Sequence, residues 1–98
     1  MVKHVVVWRL NDTPDKKEKA VLIKTKLEEL KNKIDEIREI EVGINFNTTE
    51  NAADIILISV FKSKEDLDAY IVHPEHKAVG AEFVRPNVSE RRVIDFEF

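Results

Sequence analysis

A chain of 98 residues, 43% hydrophobic and 36% charged, is too apolar and too periodic for disorder and is long enough for one domain with a modest core. Sixteen basic residues against 19 acidic ones give a net charge of -3 with no basic stripe, which argues against a nucleic-acid partner. The lack of cysteine removes disulfides, thiolate ligands and a cysteine nucleophile. The apolar run from Val5 to Trp8 is far shorter than a signal or membrane segment, so no membrane partner is expected and the expected compartment is the cytoplasm.

Lys3 to Leu10 reads as a strand, because Val5, Val6, Val7 and Trp8 are β-branched or aromatic and the turn-prone Asn11 and Asp12 follow. Alternation puts His4, Val6, Trp8 and Leu10 on one face and Val5 and Val7 on the other, so both faces are largely apolar. Thr13 is the expected N-cap of a helix, with Pro14 at the first helical position, where its missing N–H costs nothing. Ala20, Ile23, Leu27, Leu30 and Ile34 recur at steps of three and four residues, which predicts one apolar stripe and a helix to about Ile34. The lysine-rich remainder of that helix reads as a solvated face.

Glu39 to Phe46 alternates, with Ile40, Val42, Ile44 and Phe46 on one face, and predicts a half-buried strand near a sheet edge. Asn47 to Ala53 is turn-like, and Asp54 to Lys62 is apolar on both faces, as a central strand covered on both sides would be. Ser63 and Asp66 mark a second helix start, with Leu67, Tyr70 and Ile71 on its inner face. His73 precedes Pro74 and should break that helix, after which Pro74 opens another helical segment to about Phe83 with Val79 and Phe83 inward. Pro86 to Ser89 reads as a turn, and Arg91 to Phe98 as a last strand with Ile94, Phe96 and Phe98 on one face.

The order β-α-β-β-α-β places the whole chain, as a single domain, in the α+β class with a ferredoxin-like antiparallel sheet and both helices on one face. The uncovered face of the first and third strands would be a large exposed apolar patch. A second copy laid sheet to sheet would cover it, so a two-fold symmetric homodimer is expected.

Three blocks carry a resemblance to a known family: the opening Val2-Lys3-His4-Val5-Val6, the stretch Tyr70-Ile71-Val72-His73-Pro74-Glu75-His76, and the closing Val93-Ile94-Asp95-Phe96. On these the chain resembles the stress-responsive dimeric α/β-barrel family over essentially its whole length, with the Y-x-x-H-P-x-H block as the most specific part. The resemblance implies two ferredoxin-like subunits whose sheets pack into a barrel. Many members have no assigned activity, some plant members are stress proteins, and one branch holds a cofactor-free polyketide cyclase that performs an aldol condensation. That branch's catalytic tyrosine and histidine map onto Tyr70 and His76, and its first-strand cavity histidine maps onto His4. Its further cavity histidine, on the third strand, falls at Ile55.

Two readings of function stand side by side. In one, the barrel cavity binds a small apolar or aromatic molecule, with His4, Trp8, Tyr70, His73 and His76 as candidate contacts, or serves only as packed core. In the other, a cofactor-free acid/base enzyme, cyclase-like or monooxygenase-like, uses His76 as base and Tyr70 as donor to an enolate oxygen. Each residue also has a structural role available: His76 bracing the turn, Tyr70 packing in the core, His73 fixing the turn before proline, His4 as a hydrogen-bonded core residue and Trp8 as packing. Arg91 and Arg92 are placed to pair across a subunit boundary. The H-x-x-H spacing of His73 and His76 specifies no third ligand, so neither a metal nor any other cofactor is expected.

Overall fold

In the computed structural model, which describes residues 1–98, alternation along the first strand divides the molecule into two sides. In β1 (Val2–Leu10) the side chains of Val2, His4, Val6, Trp8 and Leu10 are buried, while Lys3, Val5, Val7 and Arg9 are half-exposed. The chain continues through α1 (Lys16–Glu28), β2 (Glu39–Ile44), β3 (Ile55–Phe61), α2 (Lys64–Val72), α3 (Pro74–Val79) and β4 (Val88–Glu97). All four strands form one antiparallel sheet in the order β2-β3-β1-β4. This is the ferredoxin-like arrangement, with the doubly apolar β1 and β3 at the centre and β2 and β4 at the edges.

The helices cover one face. Ala20, Ile23, Leu27, Leu30 and Ile34 are all buried and join Val6, Leu57, Phe61, Leu67 and Tyr70 in a single core. The stripe outweighs the helix start. Thr13 Oγ1 donates to the Asp15 carboxylate at 2.7 Å instead of capping a backbone N–H, and α1 begins at Lys16, two residues later than the Pro14 start that the sequence suggests. A side-chain cap contributes about 1 kcal/mol, whereas each fully buried aliphatic side chain contributes about 1.5–3 kcal/mol. After Glu28 the helix tightens into a 3-10 turn over Glu29–Asn32, which still delivers Leu30 to the core.

The outer edge of β2 is occupied by α1. Glu28 Oε2 accepts the Val42 N–H at 3.0 Å, and Lys24 Nζ donates both to Glu28 at 2.8 Å and to the Val42 carbonyl at 2.5 Å. These side chains take up edge groups that would otherwise template another strand. The strand stops at Ile44, so Phe46 is not on its inner face as alternation predicts but is 96% exposed in the loop beyond. Ile71, expected inward on α2, is 40% exposed, because Leu67 and Tyr70 already fill the inner face of this short helix.

The other face of the sheet carries no helix. Register places Val5 beside Ile58 and Ile94, and Val7 beside Ile56, which makes an apolar centre to this face, with Lys3, Arg92 and Glu41 around it. Ile94 is 65% exposed and Phe96 44%, although both are large hydrophobic residues. β4 starts at Val88, earlier than Arg91, because Asn11 N–H bonds the Asn87 carbonyl and β1 pairs with β4 up to Leu10 and Val88 across a bulge.

Candidate functional site

The site is built by a break in the helical layer. Ser63 Oγ accepts the Asp66 N–H at 3.2 Å and starts α2 in the register that turns Leu67 and Tyr70 into the core. His73 leaves the helical region (φ -63°, ψ 134°), as a residue before proline does. Pro74 then opens α3, and His73 Nδ1 accepts the Glu75 N–H at 3.1 Å, so His73 caps the new helix with its imidazole. The change of direction brings His76 back over α2, where its Nδ1 lies 3.0 Å from the Ile71 carbonyl. The chain then passes through a wide π-type turn at Gly80–Val84, a form that recurs at functional sites.

Tyr70 is the hub of the resulting cluster. Its ring is 0% exposed and packs 5.0 Å from Phe61, 4.3 Å from His76 and 6.0 Å from His4, centroid to centroid. Its hydroxyl, fully buried, has no hydrogen-bond partner in the protein. A cavity of about 260 Å³ lies between this cluster and the helix-covered face of the sheet, walled by Val6, Trp8, Leu27, Leu57, Val84 and Val88 and reached by His4, Tyr70, His76, Lys77, Gly80, Arg85 and Arg91. An orphaned phenol against a mostly apolar hollow is the arrangement expected of a small-molecule pocket.

Protonation states follow from the partners. A carbonyl only accepts, so His76 carries its hydrogen on Nδ1 and leaves Nε2 with a lone pair. Burial lowers the His76 pKa from 6.5, against the raising effect of the Ile71 bond, and the charges of His4, Arg91 and His73 lower it further, so the ring is neutral at pH 7. Burial pushes the Tyr70 phenol above its ordinary value, with Arg91 pulling slightly the other way, so the hydroxyl keeps its proton and acts as a donor. His4 is buried and its Nδ1 lies 2.5 Å from Asp95 Oδ1, the residue beside it on β4. This carboxylate sets the tautomer and orientation of the His4 ring.

The structure thus brings four of the five expected contacts, His4, Trp8, Tyr70 and His76, to one cavity, and leaves His73 outside it as a helix cap. Ile55, which stands where the cyclase branch has a histidine, is buried in the core, and β3 reaches the cavity through Leu57 instead. This cavity lies under the helices of a single chain, because the residues that line it share the helix-covered face of β1 and β3. Arg91, Lys77 and Arg85 are further lining residues that the sequence did not assign here. Arg91 sits beside Trp8 in the β1–β4 register, and that pairing, which fixes its face, is the signal that a single strand lacks. No group of three or more His, Cys, Asp or Glu side chains is arranged to hold a metal ion.

Comparison with known proteins places this geometry in a family. The model of the Stress responsive A/B Barrel Domain matches residues 2–98. The chain belongs to that family. Among curated relatives, the stress-response A/B barrel domain-containing protein DABB1 of Arabidopsis thaliana is 36% identical over 85 residues, which are 84% of this chain and 40% of that protein. The chain therefore spans less than half the length of that relative. Among solved structures of ferredoxin-like fold, a dimeric protein of unknown function from Bacteroides fragilis is 37% identical, with a TM-score of 0.89 over 99% of this chain and 95% of that one. A second dimeric protein of unknown function, from Thermobifida fusca, is 25% identical with a TM-score of 0.81 over 99% and 90% of the two chains. As in those relatives, this A/B barrel domain is a small ferredoxin-like unit, and none of its helices is long and apolar enough to cross a membrane.

Proposed function

We propose that this A/B barrel domain is a cytoplasmic homodimer in which each chain binds one small apolar or aromatic molecule in the cavity beneath its helices. Tyr70 Oη is the donor to an oxygen of that molecule, His76 Nε2 is an acceptor, and Trp8 and Leu57 pack against its apolar body. The observation that carries the reading is the Tyr70 hydroxyl, fully buried without a partner on a residue that lines the cavity. Leaving such a group unsatisfied costs about 1–3 kcal/mol, which a ligand oxygen would recover. The dimer is supported by the bare apolar face of the sheet and by the dimeric relatives. Packing sheet against sheet would form the barrel and leave the two helix-side cavities on opposite sides of it.

A titration of the isotopically labelled protein with a panel of small aromatic and aliphatic compounds, followed by NMR, tests this. Shifts concentrated at Val6, Trp8, Leu57, Tyr70 and His76 are expected for at least one class. Shifts at the open sheet face only, or at no site, would contradict the reading.

The second reading is a cofactor-free acid/base enzyme, favoured by the neutral His76 with a free Nε2 beside a phenol that stays protonated. In an aldol-type cyclisation Nε2 would take a proton from an acidic C–H, and Tyr70 O–H would stabilise the enolate oxygen. The enolate carbon would then attack a second carbonyl of the same molecule, and the protonated His76 would return its proton to the alkoxide so formed. A monooxygenase-like reaction would begin with the same proton removal and would take dioxygen as co-substrate. Cyclisation of a linear poly-β-ketone that is lost in His76→Gln would favour this reading over binding alone. Equal rates for the two proteins would remove it.

A further inference from the structure

Beyond the apolar cavity, and resting on its reading as a ligand site, the charges around it define the ligand further. The chain as a whole is acidic, with a net charge of -3. Yet Lys77, Arg85 and Arg91 all line the cavity, and no aspartate or glutamate does. These three side chains are exposed, so they form the mouth, and none of them belongs to an ion pair. Asp95, which shares the helix-covered face of β4 with Arg91, is engaged by His4 Nδ1. Three cations with no counter-charge on the rim of an otherwise apolar hollow make a local field opposite in sign to that of the molecule.

Arg91 has the most specific position of the three. It stands beside Trp8 on β4, on the helix-covered side of the sheet, and its charge reaches both Tyr70 and His76, which line the same cavity. A guanidinium presents a rigid planar fork that matches an oxyanion, while Lys77 and Arg85 are placed to attract the anion to the mouth. Tyr70 Oη, which keeps its proton and has no partner in the protein, is a further donor on a lining residue.

We propose that the cavity takes an amphiphilic anion, an aromatic or short-chain acid whose oxyanion is held by the Arg91 guanidinium and whose apolar body lies between Trp8, Leu57 and Val6. The oxyanion is a carboxylate or a phosphate, since one guanidinium fork recognises both.

Calorimetric titration of the protein with para-propylbenzoate, its neutral amide and para-propylphenyl phosphate tests the proposal. Wild type is expected to prefer one of the two anions over the amide by about tenfold or more, as a charge-assisted pair should against a neutral one. That preference should weaken with added salt and vanish in Arg91→Gln, whose exposed position leaves the fold intact. Arg91→Lys should keep the salt dependence while losing much of the affinity. The stronger of the two anions identifies carboxylate or phosphate as the source. Equal binding of acid and amide, or a preference unchanged in Arg91→Gln, would overturn the anion assignment and leave the apolar cavity standing. Failure of all three probes to bind would overturn both.

Discussion

The rings of Tyr70 and His76 lie 4.3 Å apart, centroid to centroid and inclined by 44°, although six residues and a helix break separate them. Continuous helix would not bring two residues at that spacing together on one face. The contact exists because Pro74 ends α2 and starts α3 at an angle, and because the Ile71 carbonyl anchors His76 Nδ1. The same anchor leaves Nε2 as the free lone pair next to a phenol that holds its proton.

Tyr70→Phe should leave stability unchanged or raise it by up to about 1 kcal/mol, since it deletes a buried hydroxyl that has no partner while keeping the ring contacts with Phe61 and His76. Urea unfolding at fixed protein concentration measures this. A loss of more than about 1 kcal/mol would mean that the hydroxyl is satisfied within the folded protein and is not kept for a ligand.

The stability of the protein should depend on pH through His76. Its pKa is held below 6.5 in the folded state, chiefly by burial. The unfolded chain therefore binds the extra proton first, so this contribution is complete above pH 6.5 and is lost as pH falls from there through the lowered folded value. His76→Gln should flatten the stability profile in that window relative to wild type. Superimposable profiles would show that His76 titrates alike in the folded and unfolded chains.

His73 has a different job from its neighbour two residues beyond Pro74. Its imidazole caps α3 through the Glu75 N–H. His73→Ala should cost about 0.5–1 kcal/mol of stability, and His73→Asn should restore most of it. Ligand affinity should be unchanged in His73→Asn, because His73 does not line the cavity. A loss of affinity in that variant with full stability would return His73 to the binding site.

Much of this was legible in the residues. The alternation of β1, the α1 stripe from Ala20 to Ile34, the Ser63 cap and the break at His73 are local signals, and each survives in the fold. Phe46 was misplaced because alternation continues past Ile44 while the strand's pairing with β3 does not. The helix-side position of the cavity and the membership of Arg91 depend on which faces of β1, β3 and β4 coincide, and that is a property of strand register instead of any single strand. Likewise, the absence of His73 from the cavity lining goes with a side-chain cap that occupies its Nδ1.

The bare face of the sheet gives a direct prediction for assembly. Ile94→Lys puts a charge on a residue that is 65% exposed in the single chain, so it should spare the chain's own core while weakening sheet-to-sheet association. Light scattering during size exclusion should show wild type as a dimer and the variant shifted toward monomer at the same concentration. An unchanged dimer would mean that another surface mediates assembly.

A ligand site in the helix-side cavity of each chain is decided by a crystal structure of the protein with the tightest-binding compound from the NMR panel. The compound is expected between Trp8, Leu57 and Tyr70, with an oxygen within hydrogen-bonding distance of Tyr70 Oη and at most one molecule per chain. A compound found instead between the two sheets, against Val5, Ile58 and Ile94, would contradict it.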